Sequence, residues 1–285
     1  MTTDGGQRWF HLNGLQEVWV KDVAYAANGR TVIATVDRNL RIPNGGGIWR
    51  SPDEGSTWTK TGDVPAPMGS STRTGAFGIS FAPDEPNKVY VATDYGIAVS
   101  THDGTTWSHQ MLGASCPRDT ASAWGARSVQ ALPGGRALAV NAVGVYLNDA
   151  GSNAWCSIRS GSFIVIGDGG FKHIDVSPYD FNKVFILQNY SILLLYDVTT
   201  NRWTRLRLPN CCSDQRGPFV RASQSPAGPP GIDLWVGLGT NLFKTSCQDY
   251  ESCRRLQATD WQRLERPQGL HNDCGYLGLD DQKRS

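Results

Sequence analysis

The sequence predicts an all-β fold that is built from repeated four-stranded antiparallel units. Three observations predict it: tryptophans recur at intervals of 48 to 58 residues, short apolar segments alternate with turn signals, and helical periodicity is absent. A repeat of this length is typical of propeller blades and solenoid units. Because each interval holds four strand segments, the predicted unit is the blade of a β-propeller. The repeating tryptophans are Trp9, Trp58, Trp107, Trp155, Trp203 and Trp261.

Each predicted blade contains the same elements in the same order. The first strands are expected at residues 23–26, 77–81, 128–132, 173–176 and 220–223. The second strands follow at 31–36, 89–93, 137–141, 184–188 and 234–237, and the third at 47–50, 96–99, 144–147, 193–196 and 241–244. The tryptophan itself opens the fourth strand.

These segments predict one propeller domain over residues 1–285, with about five complete blades and a fragment at each end. The predicted boundaries are 1–13 for the end of a blade, 14–62, 63–111, 112–159, 160–208 and 209–270 for blades, and 271–285 for the start of a further blade. The unequal ends predict either a part of a longer propeller of six or more blades or a truncated gene product.

Composition excludes several classes of protein. The 285 residues carry 27 Lys and Arg against 26 Asp and Glu, a net charge of +1, whereas nucleic-acid-binding proteins normally have a basic face. The longest apolar runs are far shorter than the roughly 20 residues of a membrane span. The first residues are polar and do not resemble a signal peptide. We therefore expect no nucleic-acid partner and no membrane span; the oligomeric state is left open.

The seven cysteines leave the redox state open. Their odd number means that at least one is unpaired or pairs with another chain. Cys247 and Cys253 flank a short polar insert, so they form either a disulfide, which is typical of secreted proteins, or free thiols. On this basis an extracellular or cell-envelope location is the expectation. None of the spacings predicts a metal site.

One turn between a third and a fourth strand matches a defined motif at every position. The segment 51–58 fits the pattern S-x-D-x-G-x-T-W through Ser51, Asp53, Gly55, Thr57 and Trp58. Short polar side chains bond backbone groups in such turns, and glycine takes a positive φ. We therefore expect a structural role for the turn and packing between blades for Trp58, Trp107, Trp155 and Trp203.

Three imperfect copies of the motif recur at the same spacing. In the copy at 100–107, His102 stands where the motif has aspartate, and the copy before Trp155 has one inserted residue. Residues 2–9 form a third copy with two substitutions. The residues assigned to these turns are Ser100, Asp103, Gly104 and Trp107 in one blade and Asp149, Gly151 and Trp155 in the next.

The motif resembles the Asp-box, or BNR, repeat, so the chain is similar to the Asp-box β-propeller superfamily. This superfamily includes sialidases, xyloglucan-cleaving glycosidases, sortilin-like sorting receptors of the Vps10 type and photosystem assembly factors. The resemblance rests on one intact and three imperfect copies at constant spacing, and it implies the propeller fold. Near Trp203 and Trp261 the motif has decayed to an aspartate and the tryptophan. The resemblance does not imply one activity, because some members hydrolyse glycosides and others bind peptides or protein partners.

Candidate ligand-binding residues lie where first strands begin and second strands end, since propellers usually place ligands on that face. That position selects Asp22, Asp37, Arg38, Arg73, Asp94, Tyr95, Arg127, Asn141, Asp168, Lys172, Asn189, Arg216, Arg221, His271 and Asp273. From this set the binding residues proposed are Asp37, Arg38, Tyr95, Arg127, Lys172, His271 and Asp273. The alternative is that they are ordinary solvated loop ends.

Two enzyme groups of the superfamily offer a catalytic comparison. Arg41-Ile42-Pro43 has the letters of the sialidase R-I-P motif, but it falls between a second and a third strand, and no ordered set of three arginines can be assigned. The segment 93–96 resembles the T-D-x-G-G turn of the xyloglucan-cleaving enzymes without its second glycine. This resemblance implies an acid or base role for Asp94, for which the sequence indicates no second carboxylate.

The favoured interpretation is a binding module for a glycan or protein ligand, without cofactor or metal, and the alternative is a glycoside hydrolase. Hydrolysis needs two carboxyl groups with separated pKa values, whereas binding needs shape, aromatic rings and hydrogen bonds. His271 and Asp273 precede a predicted first strand, and their i, i+2 spacing places both side chains on one face of an extended segment. They are expected either to line the site or to cap the loop.

Overall fold

The computed structural model describes residues 15, 19–37, 46–64, 75–114, 116, 125–150, 152–158, 170–188, 192–209, 219–238 and 241–264. Almost all regular structure in these residues is β-strand. The exceptions are a short helix, α1 (Tyr250–Arg254), and a 3₁₀ turn at Ala258–Asp260. In the part of the chain that is described, no helix is long and apolar enough to cross a membrane.

Twenty strands in these residues form five four-stranded sheets. The first sheet has β1 (Trp19–Tyr25), β2 (Val32–Asp37), β3 (Gly47–Ser51) and β4 (Thr59–Gly62). The second has β5 (Ala76–Phe81), β6 (Val89–Thr93), β7 (Gly96–Ser100) and β8 (Ser108–Gln110). The third has β9 (Ser128–Leu132), β10 (Arg136–Val140), β11 (Val145–Asn148) and β12 (Cys156–Ser157).

The fourth sheet has β13 (Phe171–Val176), β14 (Lys183–Gln188), β15 (Ile192–Asp197) and β16 (Arg202–Leu206), and the fifth β17 (Phe219–Gln224), β18 (Ile232–Leu238), β19 (Asn241–Cys247) and β20 (Gln262–Leu264). Neighbours in every sheet are consecutive in sequence, as in a propeller blade. The prediction of an all-β chain with five four-stranded blades is confirmed. The predicted terminal fragments lie outside the described residues.

The second and third strands form the buried layers of the sheets because they are apolar on both faces. In the fourth sheet, Phe185, Leu187, Leu193 and Leu195 are at most 1% exposed. They belong to a core that includes residues of the fifth sheet, such as Leu234. A second core joins the first and second sheets and includes Ile33, Ile48 and Val91. Each of these clusters removes several large apolar side chains from water, which is the main favourable contribution to folding.

Tryptophans link neighbouring sheets at regular positions. Trp107 donates its indole N–H to Thr61 Oγ1 of the first sheet at 3.2 Å, and a Cβ on Gly62 of that sheet would lie 2.8 Å from the Trp107 ring. The Trp155 N–H donates to Gln110 Oε1 of the second sheet at 2.7 Å, and Trp155 is fully buried. The fifth sheet repeats the arrangement, because Trp261 donates to the carbonyl of Arg207 at 2.8 Å.

Two tryptophans differ from this pattern. The half-buried Trp58 donates to the carbonyl of Gly55 within its own turn at 2.9 Å. Trp203 stacks on Tyr196 of its own sheet, with ring centroids 4.2 Å apart, and its buried Nε1 has no hydrogen-bond partner. These two contacts lie within each tryptophan's own blade, and packing between blades stays a prediction for both rings.

The chain divides into two compact units. The first comprises residues 1–138 and 147–156, and the second comprises 139–146 and 157–285. Each unit contains one disulfide, Cys116–Cys156 in the first and Cys247–Cys253 in the second. The second is the bridge that the sequence left open. Cys211, Cys212 and Cys274 lie outside the described residues.

Candidate functional site

The candidate site lies in the first unit, where β2 and β6 end and β5 begins. Asp37 is the last residue of β2, and Asp94 follows β6 in the turn to β7. Gly75, which precedes β5, donates its N–H to Asp94 Oδ2 at 2.9 Å, and Asp94 donates its own N–H to the Gly75 carbonyl at 3.0 Å. Gly75 and Asp94 are therefore joined by two hydrogen bonds, and each residue donates one of them.

The turn that presents Asp94 is held by the residues on either side of it. Thr93 Oγ1 accepts hydrogen bonds from the N–H groups of Tyr95 and Gly96, both at 3.2 Å, and donates to the Gly96 carbonyl at 3.1 Å. Gly96 has a φ of +146°, and a Cβ there would lie 2.2 Å from the carbonyl oxygen of Gln110. Only glycine fits this position, so the sequence T-D-Y-G keeps Asp94 at the tip of the turn.

Each carboxylate of the site lies beside a cationic side chain. Lys21 Nζ lies 3.2 Å from Asp37 Oδ2, and Arg127 Nη1 lies 3.8 Å from Asp94 Oδ1. The guanidinium carbon of Arg127 is also 4.7 Å from the centre of the Phe77 ring, in cation–π geometry. Because the Arg127 side chain is 44% exposed and that of Asp94 only 12%, the arginine is the more accessible partner for a ligand.

The two carboxylates lie close to each other. A Cβ built on Gly75 would be 2.7 Å from Asp37 Oδ1 and 3.0 Å from Asp94 Oδ2. These two oxygens are therefore no farther apart than the sum of the two distances, about 5.7 Å. Asp37 is thus the second carboxylate near Asp94 that the sequence did not indicate. We call Lys21, Asp37, Asp94 and Arg127 the rim cluster.

Sequence reasoning missed Lys21, Gly75 and Phe77, and β-bulges explain two of the three. The register of β1 on β2 shifts between Val20 and Asp22, so Lys21 is the extra residue. The register of β5 on β6 shifts between Ala76 and Ile79, which places Phe77 in the second irregularity. A bulge redirects a side chain without a distinctive sequence pattern, so no signal in these strands indicated their position. The position of Gly75 directly before a first strand was a weak indication that it lies near the ligand-binding face.

Other residues that were predicted on the ligand-binding face make structural contacts within the protein. Asp22 Oδ2 accepts the N–H of Ile79 in the neighbouring sheet at 3.0 Å. Asn141 Oδ1 accepts the N–H groups of Val143 and Gly144, both at 2.9 Å, as Thr93 Oγ1 does in its own turn. The half-buried Tyr95 ring meets the His109 ring edge to face at 6.1 Å. These contacts account for their positions without a ligand.

The remaining site predictions fall elsewhere. Lys172 lies in β13 of the second unit, again where a first strand has a register shift. Arg221 is in β17 and pairs with Asp175 at 3.7 Å. The predicted residues that lie outside the described part of the chain are Arg38, Arg73, Asp168, Asn189, Arg216, His271 and Asp273. The Arg41-Ile42-Pro43 segment and residues 2–9 lie outside it as well.

The complete motif at 51–58 forms a closed network of hydrogen bonds. Ser51 Oγ accepts the N–H of Gly55 at 2.7 Å and donates to Asp53 Oδ1 at 2.8 Å. The Asp53 carboxylate also accepts the N–H and the hydroxyl of Thr57, at 2.8 and 2.7 Å. The bonds from Thr57 hold the pKa of Asp53 below its ordinary value. The turn therefore satisfies its own polar groups.

The second copy of the turn uses its residues differently. Ser100 Oγ accepts the N–H groups of His102 and Gly104, at 3.1 and 3.0 Å, and His102 Nδ1 lies 3.3 Å from Thr106 Oγ1. His102 therefore occupies the place of the motif aspartate. Asp103, which we assigned to the turn, has a φ of +56°, and its carboxylate leaves the turn to pair with Arg50 of the first sheet at 3.1 Å.

The copy of the turn before Trp155 has Asn148 in the place of the motif serine. Its side-chain amide donates to the carbonyls of Ser152 and Ala154, at 2.8 and 2.9 Å. The Asp149 carbonyl accepts the N–H of Ser152 at 3.0 Å, whereas Gly151 lies outside the described residues. All three described turns thus bond their own backbone, and they are scaffold rather than site.

A metal site is not formed by the described residues: in them, no group of three or more His, Cys, Asp or Glu side chains is arranged to hold an ion. The chemistry available at the rim cluster is therefore that of two carboxylates, a lysine, an arginine and a nearby aromatic ring. Such groups bind polar ligands through charge-assisted hydrogen bonds.

Solved structures with the same fold include proteins of different function. A structure of YCF48 bound to D1 peptide has a TM-score of 0.52 and 15% identity over 87% of this chain and 67% of that one. An ancestral GH74 enzyme has a TM-score of 0.58 and 15% identity over 86% of this chain. The GH74 xyloglucanase from Xanthomonas campestris has a TM-score of 0.54 and 12% identity over 87% of this chain.

This chain spans 32% of the ancestral GH74 enzyme and 38% of the xyloglucanase. The sequence matches no protein-family model and no curated protein. At such low identity the structural likeness shows the fold alone. The chain therefore has the fold of a β-propeller with four-stranded blades.

Proposed function

We propose that this chain is a binding module whose glycan or protein ligand contacts the rim cluster. The observation that carries the proposal is the arrangement of two ion pairs beside Gly75, with an exposed Arg127 at one side. The four charges cancel, so the surface suits a ligand that both donates and accepts hydrogen bonds. Sugar hydroxyls and peptide groups both do so.

Binding is favoured over hydrolysis by the similarity of the two carboxylates. Asp37 and Asp94 both lie beside a cation, which favours their charged forms, whereas glycoside hydrolysis needs one carboxyl group in surroundings that keep it protonated. Their closest approach of about 5.7 Å or less is shorter than the roughly 6.5–9.5 Å of an inverting pair. The neighbour with a bound D1 peptide gives a precedent for peptide binding on this fold.

Asp94→Asn tests the proposal, because it keeps the shape of the side chain and removes its charge. Glycan and peptide arrays identify ligands of the wild-type protein, and titration calorimetry then compares the variants. We expect Asp94→Asn to weaken binding at least tenfold, the effect of about one charge-assisted hydrogen bond. Asp149→Asn, an exposed turn residue outside the cluster, is the control and leaves the affinity unchanged. Equal affinities for both variants would contradict the proposal.

A glycoside hydrolase is the second candidate, and one observation favours it. The Asp37–Asp94 separation is compatible with the roughly 5–5.5 Å between the carboxyl groups of a retaining enzyme. A reducing-end assay on every glycan that binds tests this candidate. Release of reducing ends that is lost in both Asp37→Asn and Asp94→Asn would replace the binding proposal by hydrolysis.

We also propose membership of the Asp-box superfamily and an extracellular or cell-envelope location. The hydrogen bonds within 51–58 support the first, because all five motif residues take part in the closed network. The disulfides Cys116–Cys156 and Cys247–Cys253 support the second, since such bonds persist in oxidising compartments. Thiol counting on protein isolated from its native compartment tests the location; reduced cysteines at all four positions would argue against it.

A further inference from the structure

A cleft that contains no residue of the rim cluster lies in the second unit. Its volume is about 590 Å³, which is within the range of roughly 300–1,000 Å³ for small-ligand sites. Its walls come from the fourth sheet, through Lys183, Asp197 and Arg202, and from the segment around α1, through Asp249, Glu251 and Arg254. The half-buried Tyr250 also lines it.

The carboxylates in the cleft already have partners. Asp197 Oδ2 accepts from Lys183 Nζ at 2.7 Å, and Asp197 Oδ1 accepts from the hydroxyl of Thr199 at 2.7 Å. Burial acts to raise the pKa of Asp197, but these bonds outweigh it and hold the pKa far below its ordinary value. Asp249 accepts the N–H of Ser252 at 2.7 Å, and Glu251 pairs with Arg254.

Two arginines retain unused hydrogen-bond donors. The side chain of Arg202 is exposed and has no hydrogen-bond or ion-pair partner among the residues that the structure describes. The Nε of Arg254 is buried and has no hydrogen-bond partner, although its Nη1 pairs with Glu251. A planar guanidinium with free donors is suited to bind a carboxylate through two parallel bonds.

We propose that this cleft binds a small acidic saccharide whose carboxylate pairs with Arg202. The rest of the cleft favours a sugar over an acidic peptide. Glu251, with its side chain 64% exposed, and Asp249 accept hydrogen bonds from sugar hydroxyls, which a peptide such as triglutamate lacks. Tyr250 adds a ring against which the apolar face of a sugar packs. This site is independent of the proposed function of the rim cluster.

Trigalacturonate, its methyl ester and triglutamate are matched probes for titration calorimetry at low salt. We expect trigalacturonate to bind at millimolar or lower concentration, and its affinity to fall as salt is added. The ester has the same shape without the charge and should bind at least tenfold more weakly. No binding of trigalacturonate, equal binding of the ester, or tighter binding of triglutamate would each overturn the proposal.

Arg202→Ala locates the site on this cleft, and Arg205→Ala is its control. Both arginines are exposed on β16, but their i, i+3 spacing places them on opposite faces of the strand. Arg202→Ala should weaken trigalacturonate binding about 10- to 100-fold, the loss that corresponds to one charge-assisted pair. Arg205→Ala should leave the affinity within about twofold of wild type. Equal effects of the two variants would overturn the proposal.

Discussion

Gly75 in the first unit and Gly170 in the second both directly precede the first strand of a sheet, but they leave room for different neighbours. A Cβ on Gly170 would lie 2.3 Å from the Cα of Ala142 and 2.4 Å from its carbonyl oxygen. A Cβ on Gly75 would instead meet the carboxylate oxygens of Asp37 and Asp94. Glycine at 170 is therefore required by backbone packing, whereas glycine at 75 makes room for two charged side chains.

The ion pairs of the two units show the same contrast. Asp94–Arg127 and Asp175–Arg221 have N–O distances of 3.8 and 3.7 Å, and in both the arginine is largely exposed. Asp175 Oδ2 accepts the N–H of Ala222 in the fifth sheet at 2.8 Å, whereas Asp94 accepts that of Gly75, which precedes a strand of its own sheet. An Asp–Arg pair is thus part of how neighbouring sheets are joined. In the first unit a second carboxylate, that of Asp37, lies near the pair, so we expect function to depend on the surroundings of the pair.

Gly170→Ala should have the largest effect on stability. The new Cβ overlaps backbone atoms that cannot move aside, and the φ of +63° is unfavourable for alanine, so we expect a loss of about 3 kcal/mol. Gly134→Ala is the control, because Gly134 has a φ of +75° and nothing within 4 Å of its Cβ position. The Gly134→Ala variant should lower the free energy of unfolding by only about 1 kcal/mol. Urea titrations that give both variants the same loss would contradict the backbone-packing argument.

Asp175→Ala tests whether the pair in the second unit is scaffold alone. The variant leaves the N–H of Ala222 without its charged acceptor, which should cost about 2 kcal/mol in a urea titration. Ligand binding at the rim cluster should not change. A loss of affinity without a loss of stability would show that the comparison between the two pairs is misleading.

His173 should make the stability of the second unit depend on pH. Burial, together with the charge of Arg221, lowers the pKa of His173 to about 3, and its buried Nδ1 has no hydrogen-bond partner. The unfolded chain binds a proton at its ordinary pKa of about 6.5, so the folded state loses stability as the pH falls from there toward 3. The uptake of one proton changes the free energy of unfolding by at most about 1.4 kcal/mol per pH unit.

His173→Asn removes this titration, so the dependence of unfolding on pH should become flatter between about pH 6.5 and 5. Urea midpoints of the variant and the wild type, measured across this window, give the two slopes. Parallel slopes would show that His173 does not titrate differently in the folded and unfolded chains. Affinity at the rim cluster should be the same for both proteins.

The sequence was sufficient to predict the blades because their strands and turns depend on local patterns. The period between tryptophans and the alternation of apolar residues predicted five four-stranded sheets, and Trp107 and Trp155 lie between sheets as expected. The Trp203 ring stacks on Tyr196, a cross-strand neighbour in its own sheet, a contact that its position in the repeat did not indicate. Spacing along the chain does not determine which of two apolar neighbours a ring contacts.

The rim cluster could be predicted only in part. Asp37, Asp94 and Arg127 follow from their positions at strand ends, but Lys21 reaches Asp37 through a bulge that shifts the register by one residue. The similarity of the two carboxylate environments depends on such three-dimensional contacts. Asp103 is the converse case, because the motif placed it in the turn while its carboxylate pairs with Arg50 across sheets.

Gly75→Ala should have the smallest effect on stability and the most specific effect on binding. Its new Cβ meets the ends of three side chains, those of Asp37, Asp94 and Phe77, which rotate away more easily than backbone, so a loss of only about 1 kcal/mol is expected in a urea titration. The same rotation separates Asp37 and Asp94 from their positions beside Lys21 and Arg127, so ligand affinity should fall at least tenfold. Gly78→Ala, in the strand that follows Gly75, is the control, because its Cβ would meet the Ser128 backbone at 3.2 Å and no carboxylate among its nearest atoms. If both variants retain wild-type affinity, the space at Gly75 serves packing as it does at Gly170, and the distinction between the two units is lost.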